Sequence, residues 1–364
     1  VLYRASTCEK AFVSLHYGDN PLVLAQALML GYNIRMLHPN IEFDAVLMVI
    51  EGSCSENTIK MLSCFWSIQL VREYYPQASW MPKNDKRNWS RVFAKLWAFE
   101  LIQYEKILFL DTDIMIRQNL SALFSLDTPC GVVWGKHKKF PKAGEPIPDN
   151  IFFDDNNGKR LFQINAGAML LKPSIETANS ILRSLSSHKN EDTNVAMPEQ
   201  AFLTKYVKGW KSLGFQNMTP NQLKPRSWDQ SAPYEKVEMI SNCSITHFAG
   251  FCDINENPVN RGFNEFDHGS QIFRSWMRIF DERARWIDDF YANTKVTARC
   301  KDFVAGHLDP RSEKNARKRV YNAATKYGVE LRTTMPLVNG AVLQLCFDYN
   351  SDKGCKKDKC AWAH

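Results

Sequence analysis

No apolar run in this 364-residue chain approaches the roughly 20 residues needed to span a bilayer. No internal repeat and no low-complexity stretch occurs, which argues against solenoids, propellers and flexible linkers. Charge of neither sign dominates: 46 Lys and Arg stand against 39 Asp and Glu, a formal net charge of +7. The excess is uneven, because residues 309–364 carry about +5 of it. Two readings of that tail stay open, a solvated basic linker or a site for an anionic partner. A disulfide framework is lacking too. Cys8, Cys54, Cys64, Cys130, Cys243, Cys252 and Cys300 are scattered, and only the last three of the ten cysteines crowd together. The Asn-X-Ser/Thr sites at Asn88, Asn119, Asn217 and Asn242 are about as many as chance supplies, and they say nothing about secretion. The chain begins at Val1 and is silent on any signal or anchor upstream.

What is present is ordinary globular composition, 45% hydrophobic and 12% aromatic, enough for one large core and a small appendage. The first half alternates strand and helix patterns, which predicts an α/β sheet. Ala11–Leu15, Asp44–Ile50 and Lys106–Leu110 read as buried strands, with Cys130–Trp134, Ala166–Leu171 and Ser244–Phe248 as later ones. Pro21–Leu37 has helical spacing. Ser90–Tyr104 reads as an amphipathic helix, with Val92, Phe93, Leu96, Trp97 and Leu101 on one stripe. Gly269–Tyr291 reads as a long Trp-rich helix, and Glu313–Lys326 as a basic helix or linker.

Asp111 and Asp113 stand where the strand Lys106–Leu110 ends, the edge at which open α/β sheets bind ligands. Two carboxylates spaced this way can turn toward one hard cation, Mg²⁺ or Mn²⁺, which usually brings a phosphate with it. An Asp-X-Asp triplet alone is also a common Asp-rich turn. His247, at the end of Ser244–Phe248, could reach the same cation, or be a satisfied core histidine.

The stretch 93–124 (FAKLWAFELIQYEKILFLDTDIMIRQNLSALF) resembles the core of glycogenin and its relatives, the family 8 retaining glycosyltransferases. Ala11–Leu15 resembles that family's first nucleotide-binding strand. Ile164–Thr177 resembles its Asn-X-Gly strand and Pro-Ser helix start, Glu199-Gln200 its acidic-Gln pair, and His247–Gly250 its His-Phe-X-Gly segment. The resemblance spans about residues 11–250. It implies a GT-A-type, Rossmann-like single domain and transfer of a hexose, with retention, from a UDP-sugar, by default UDP-glucose. It implies Asp111, Asp113 and His247 as ligands of Mn²⁺ or Mg²⁺. It implies Leu15, Tyr17, Lys95, Asp111, Thr112, Asp113, Asn165, Gln200 and Gly250 around the donor, with Lys95, Glu199 and Gln200 as catalytic candidates. Glu199 is longer than the family's usual Asp and lies in the first turn of an expected helix, where serving the dipole is the other reading. Lys95 has a rival reading as a surface lysine. Two departures stand out: Phe251-Cys252-Asp253 replaces the family's Lys-Pro-Trp after Gly250, with Arg261 as a substitute for that lysine, and His16 and Tyr17 replace its small hydroxyl and amide residues while Pro21 replaces a base-stacking Tyr, a role open to Tyr17 instead.

Cys346, Cys355, Cys360 and His364 follow the spacing C-x8-C-x4-C-x3-H, four ligands suited to tetrahedral Zn²⁺. Gly354 and the closing Cys-Ala-Trp-Ala-His resemble CCCH zinc fingers, many of which bind single-stranded RNA on aromatics such as Phe347 and Trp362. The expected organisation is therefore residues 1–308 as transferase domain with a helical extension, 309–340 as basic linker, and 341–364 as finger. The expected partners are a UDP-sugar, an unread acceptor (glycan, protein or small molecule), RNA through the finger, and a second copy of the chain. The thiolate zinc site points to cytosol or nucleus. The rival function is a degenerate transferase fold that delivers the finger to RNA or protein.

Overall fold

The apolar segment Lys10–His16 forms β1, seven residues of which only Lys10 is not buried. Strands buried on both faces read as continuous apolar runs, and its neighbours share that character. In the computed structural model, which describes residues 8–39, 42–73, 89–134, 141–152, 162–187, 198–214, 240–248, 271–294, 334–336 and 342–344, β1 sits mid-sheet. The further strands are β2 (Phe43–Ile50), β3 (Ser67–Val71), β4 (Lys106–Leu110), β5 (Ile114–Ile116), β6 (Cys130–Trp134), β7 (Gln163–Leu171), β8 (Lys211–Ser212) and β9 (Ile245–His247). Helices α1 (Pro21–Leu37), α2 (Glu56–Leu62), α3 (Trp89–Val92), α4 (Asp149–Phe152), α5 (Ile175–Ser187) and α6 (Pro198–Tyr206) intervene.

Seven strands join in the order β3-β2-β1-β4-β7-β6-β8. The β3, β2, β1 and β4 ladders are parallel, β7 runs antiparallel to β4 and to β6, and β8 is parallel to β6. Only β7 is therefore reversed, in an otherwise parallel sheet. One face packs Ala11, Val13, Val46, Met48 and Phe109 under Phe93, Leu96, Ile181 and Phe202. The other carries a ring cluster in which Phe12 meets His38 at 4.6 Å and Phe124 at 5.4 Å.

Residues 93–100 depart from expectation. The segment expected as one amphipathic helix to Tyr104 makes a single α turn and continues as a 3-10 helix, Phe93–Glu100. Phe93, Leu96 and Phe99 are all buried at a spacing of three, the period at which 3-10 side chains eclipse. The α5 start follows the Pro-Ser pattern, with Ser174 Oγ accepting from the Thr177 amide at 3.3 Å.

The chain divides into two units. The first comprises Val1–Asp19, Leu30–Gln222 and Cys243–His247, and contains the whole sheet. The second comprises Asn20–Met29, Leu223–Asn242 and Phe248–His364. It contains the long helix α7, Gln271–Asn293, and the antiparallel pair β10 (Thr334–Pro336) and β11 (Val342–Gln344). Gly250, Arg261, the expected helix Glu313–Lys326, the boundaries drawn at 308/309 and 340/341, and Cys346, Cys355, Cys360 and His364 lie outside the described residues. No described helix is long and apolar enough to cross a membrane.

Candidate active site

The β4 strand delivers Asp111 to the sheet edge, and a tight turn returns the chain into β5, with the Ile114 amide bonded to the Asp111 carbonyl at 3.2 Å. Thr112 and Asp113 occupy that turn. β5 leaves the main sheet and pairs with β9, in a register that sets Ile114 opposite His247. Strand pairing thus carries the imidazole back to the carboxylates across more than 130 residues of chain.

The His247 Nε2 atom lies 3.1 Å from Asp113 Oδ1 and 4.0 Å from Asp111 Oδ2. One ligand atom from each of the three residues falls within 4.8 Å of the others, and no other such group occurs among the described residues. The 3.1 Å contact has ion-pair distance without hydrogen-bond alignment. Both His247 ring nitrogens are buried with no hydrogen-bond partner among the described residues. A nitrogen so placed suits a lone pair directed at a cation shared with the carboxylates. Burial works against the charged forms of both side chains, but their proximity outweighs it: Asp113 falls below the usual carboxylate range and His247 rises above its own.

Lys95 is 7% exposed, which removes its reading as a surface lysine. Its Nζ sits 2.8 and 3.0 Å from the two Asp111 oxygens, 3.7 Å from Glu199 Oε1 and 5.6 Å from the Phe109 ring centroid. Burial alone would lower its pKa, yet Asp111, Glu199 and Asp113 hold it well above the ordinary value, so the ammonium stays charged. Burial pushes the Glu199 carboxyl up, with Lys95 opposing. With His247 neutral, as a metal ligand must be, Asp111 and Asp113 against Lys95 leave one uncompensated negative charge. A divalent cation would offset it.

Leu15 is buried at the end of β1. Tyr17 follows, half-buried, beneath the Arg91 guanidinium at 5.9 Å. Burial raises the Tyr17 pKa, Asp111 and Glu199 add to the rise, and Lys95 and Arg91 oppose it, which sets the ring within reach of four charges. Asn165 and Gln200, expected at donor hydroxyls, both bond to β7 itself. Asn165 Oδ1 accepts from the Gly167 amide at 2.8 Å, and Gln200 Oε1 from the Ala166 amide at 3.0 Å. The second bond seats α6, and with it Glu199, against β7.

Sequence reasoning gave no role to two residues, although the second is the glycine of the Asn-X-Gly strand. Arg91 is one. Gly167 is the other: a Cβ there would lie 2.2 Å from His247 Cε1 and 2.7 Å from Nδ1. Gly167 also accepts the Asp111 amide at 2.8 Å. Its side-chain-free surface is what allows the imidazole to lie against β7.

The model of glycosyl transferase family 8 matches residues 32–251. Protein R707 of Acanthamoeba polyphaga mimivirus is 30% identical over 279 residues, which is 75% of this chain and 94% of that protein. Galactinol synthase 2 of Solanum lycopersicum is 27% identical over 228 residues, 58% of this chain, and the match spans 62% of that enzyme's length. Among solved structures, the galactosyltransferase LgtC in complex with donor and acceptor sugar analogues aligns with 80% of this chain and 99% of its own, at TM-score 0.47 and 11% identity.

Proposed function

The chain belongs to glycosyl transferase family 8 and is a glycosyltransferase, and from that premise we propose that it transfers a hexose, with retention, from a UDP-sugar to an acceptor hydroxyl, using a divalent cation held by Asp111, Asp113 and His247. The observation that carries this reading is the convergence of Asp111, Asp113 and His247, one ligand atom from each lying within 4.8 Å of the others at the end of β4. Mn²⁺ tolerates a nitrogen ligand better than Mg²⁺ does. Bound there, the cation would supply Lewis-acid stabilisation of the departing diphosphate. Lys95 orients Asp111 through both carboxylate oxygens and keeps Glu199 beside the same pocket of charge. Glu199, turned inward at the start of α6, is the group proposed to stand near the anomeric carbon, where a carboxylate stabilises an oxocarbenium-like state or attacks it. UDP-glucose is the proposed donor by resemblance, with Tyr17 stacking on the base.

The tail is proposed to fold as a zinc finger around Cys346, Cys355, Cys360 and His364, docking RNA, in cytosol or nucleus. The replacement of Lys-Pro-Trp by Phe251-Cys252-Asp253 favours the rival function, in which the transferase fold only carries the finger. UDP release from UDP-glucose separates the two. It should require Mn²⁺ or Mg²⁺, stop in EDTA, and fall at least 100-fold in Asp113→Asn, about 2.7 kcal/mol of transition-state stabilisation. Undiminished turnover in EDTA would remove the metal from the reading. No turnover with any UDP-sugar would leave the rival.

A further inference from the structure

We propose that Arg117 is a positioning residue for the Asp113–His247 pair, locking the register of the strand ribbon that carries both. The inference rests on the metal reading above and deepens it. β5 and β9 are three residues each and form a sheet of their own, apart from the seven-stranded one. A pair so short is marginal by itself. Yet its register decides the site, because a one-residue slip would turn His247 to the opposite face, away from Asp113.

Arg117 closes this ribbon at the end away from the carboxylates. Its amide donates to the Ser244 carbonyl at 2.7 Å, one residue beyond the last paired position. Its guanidinium Nη1 reaches the Cys243 carbonyl at 3.0 Å and the Cys243 Sγ at 3.1 Å. Gln118 adds a contact, accepting from Ser244 Oγ at 3.1 Å. The outer edge of β5 is held as well, the Ile116 amide donating to Asn33 Oδ1 at 2.8 Å. A planar guanidinium can meet a carbonyl and a neighbouring sulfur together, and a lysine ammonium does so less well. Any cost of losing Arg117 should therefore appear as a misplaced imidazole as well as a less stable fold.

The test is Mn²⁺ affinity by electron paramagnetic resonance titration, with histidine imidazole NMR on the same proteins. Arg117→Ala should weaken Mn²⁺ binding about tenfold or more, as loss of an orienting partner does at metal sites. Arg117→Lys should lie between it and the parent. Tyr104→Phe removes a 2.7 Å hydrogen bond to Asp44 elsewhere in the same unit and is the stability control. It should lower Tm without changing Mn²⁺ affinity. Equal affinity in the parent and both Arg117 variants would overturn the inference, as would a loss in Tyr104→Phe matching its Tm. If the parent binds no Mn²⁺, the metal reading fails, and the NMR arm decides for Arg117. Displaced His247 imidazole signals in Arg117→Ala support its positioning role, and unmoved signals overturn it.

Discussion

Replacing Gly167 with alanine tests the site through one methyl group. The added Cβ would stand 2.2 Å from His247 Cε1, where ordinary contact begins near 3.4 Å. Either the imidazole retreats by about 1.2 Å or β7 buckles. Both outcomes disturb the trio. The first moves Nε2 relative to the carboxylates. The second moves the Gly167 carbonyl that accepts the Asp111 amide at 2.8 Å. Overpacking a buried site costs about 1–3 kcal/mol of stability. Metal binding should suffer more visibly, because ligand distances tolerate shifts of only about 0.2 Å. The expected outcome is a folded protein with a Tm lower by several degrees and Mn²⁺ affinity weaker by about 10- to 100-fold. Differential scanning fluorimetry and a Mn²⁺ titration measure the two effects on one sample. Parental Mn²⁺ affinity in a folded Gly167→Ala protein would refute the argument that this glycine exists to seat His247.

Three further outcomes are expected. Glu199→Gln should slow sugar transfer at least tenfold while leaving UDP binding within about twofold by calorimetry; an unchanged rate would return Glu199 to serving the α6 dipole. His16 is buried, donates Nε2 to the Gly18 carbonyl at 3.0 Å, and has its pKa lowered by burial to about 4. Its unfolded form binds a proton first, so its contribution is complete above about pH 6.5 and lost as pH falls toward 4, in total about 3 kcal/mol. Denaturant titrations at pH 7.5 and 4.5 should show this loss in the parent and a smaller one in His16→Gln; equal losses would place the acid sensitivity elsewhere. The purified protein should hold one Zn²⁺ by elemental analysis and lose it in Cys355→Ser, and equal zinc in both would remove the finger.

Local pattern made much of this legible. The strands Lys106–Leu110 and Cys130–Trp134 have the bounds their apolar runs predict, and Asp111 and Asp113 stand where β4 stops. Such features depend on a window of a few residues, which periodicity reads well. The 3-10 turn at Phe93–Glu100 was not legible, because Phe93, Leu96 and Phe99 fit a period of three while Leu96, Trp97 and Leu101 fit one of 3.6. Tertiary packing chose between them. β5 and β9 were too short to announce themselves as partners, and their pairing joins segments about 130 residues apart. Hence Arg117, which acts only through that pairing, carried no signal of its own.

The polar residues show the same divide in chemical form. Asn165, Gln200 and Lys95 are residue types that could equally bind a sugar or the protein, and the sequence does not say which. Asn165 and Gln200 accept from β7 amides through their side-chain oxygens; the Gln200 bond ties α6 to the strand, and the Asn165 bond stays within it. Lys95 faces carboxylates instead, buried and charged among Asp111, Asp113 and Glu199. A buried lysine with that many acidic neighbours stabilises them only in part. With His247 neutral, what remains is a net negative cluster edged by an imidazole, and that charge is a physical reason to expect a cation there. A scaffold that served only to carry a tail would be more stable with apolar residues of similar volume at these positions. The gathering of Asp111, Asp113, Lys95 and Glu199 in one cluster therefore weighs toward catalysis and against the carrier reading.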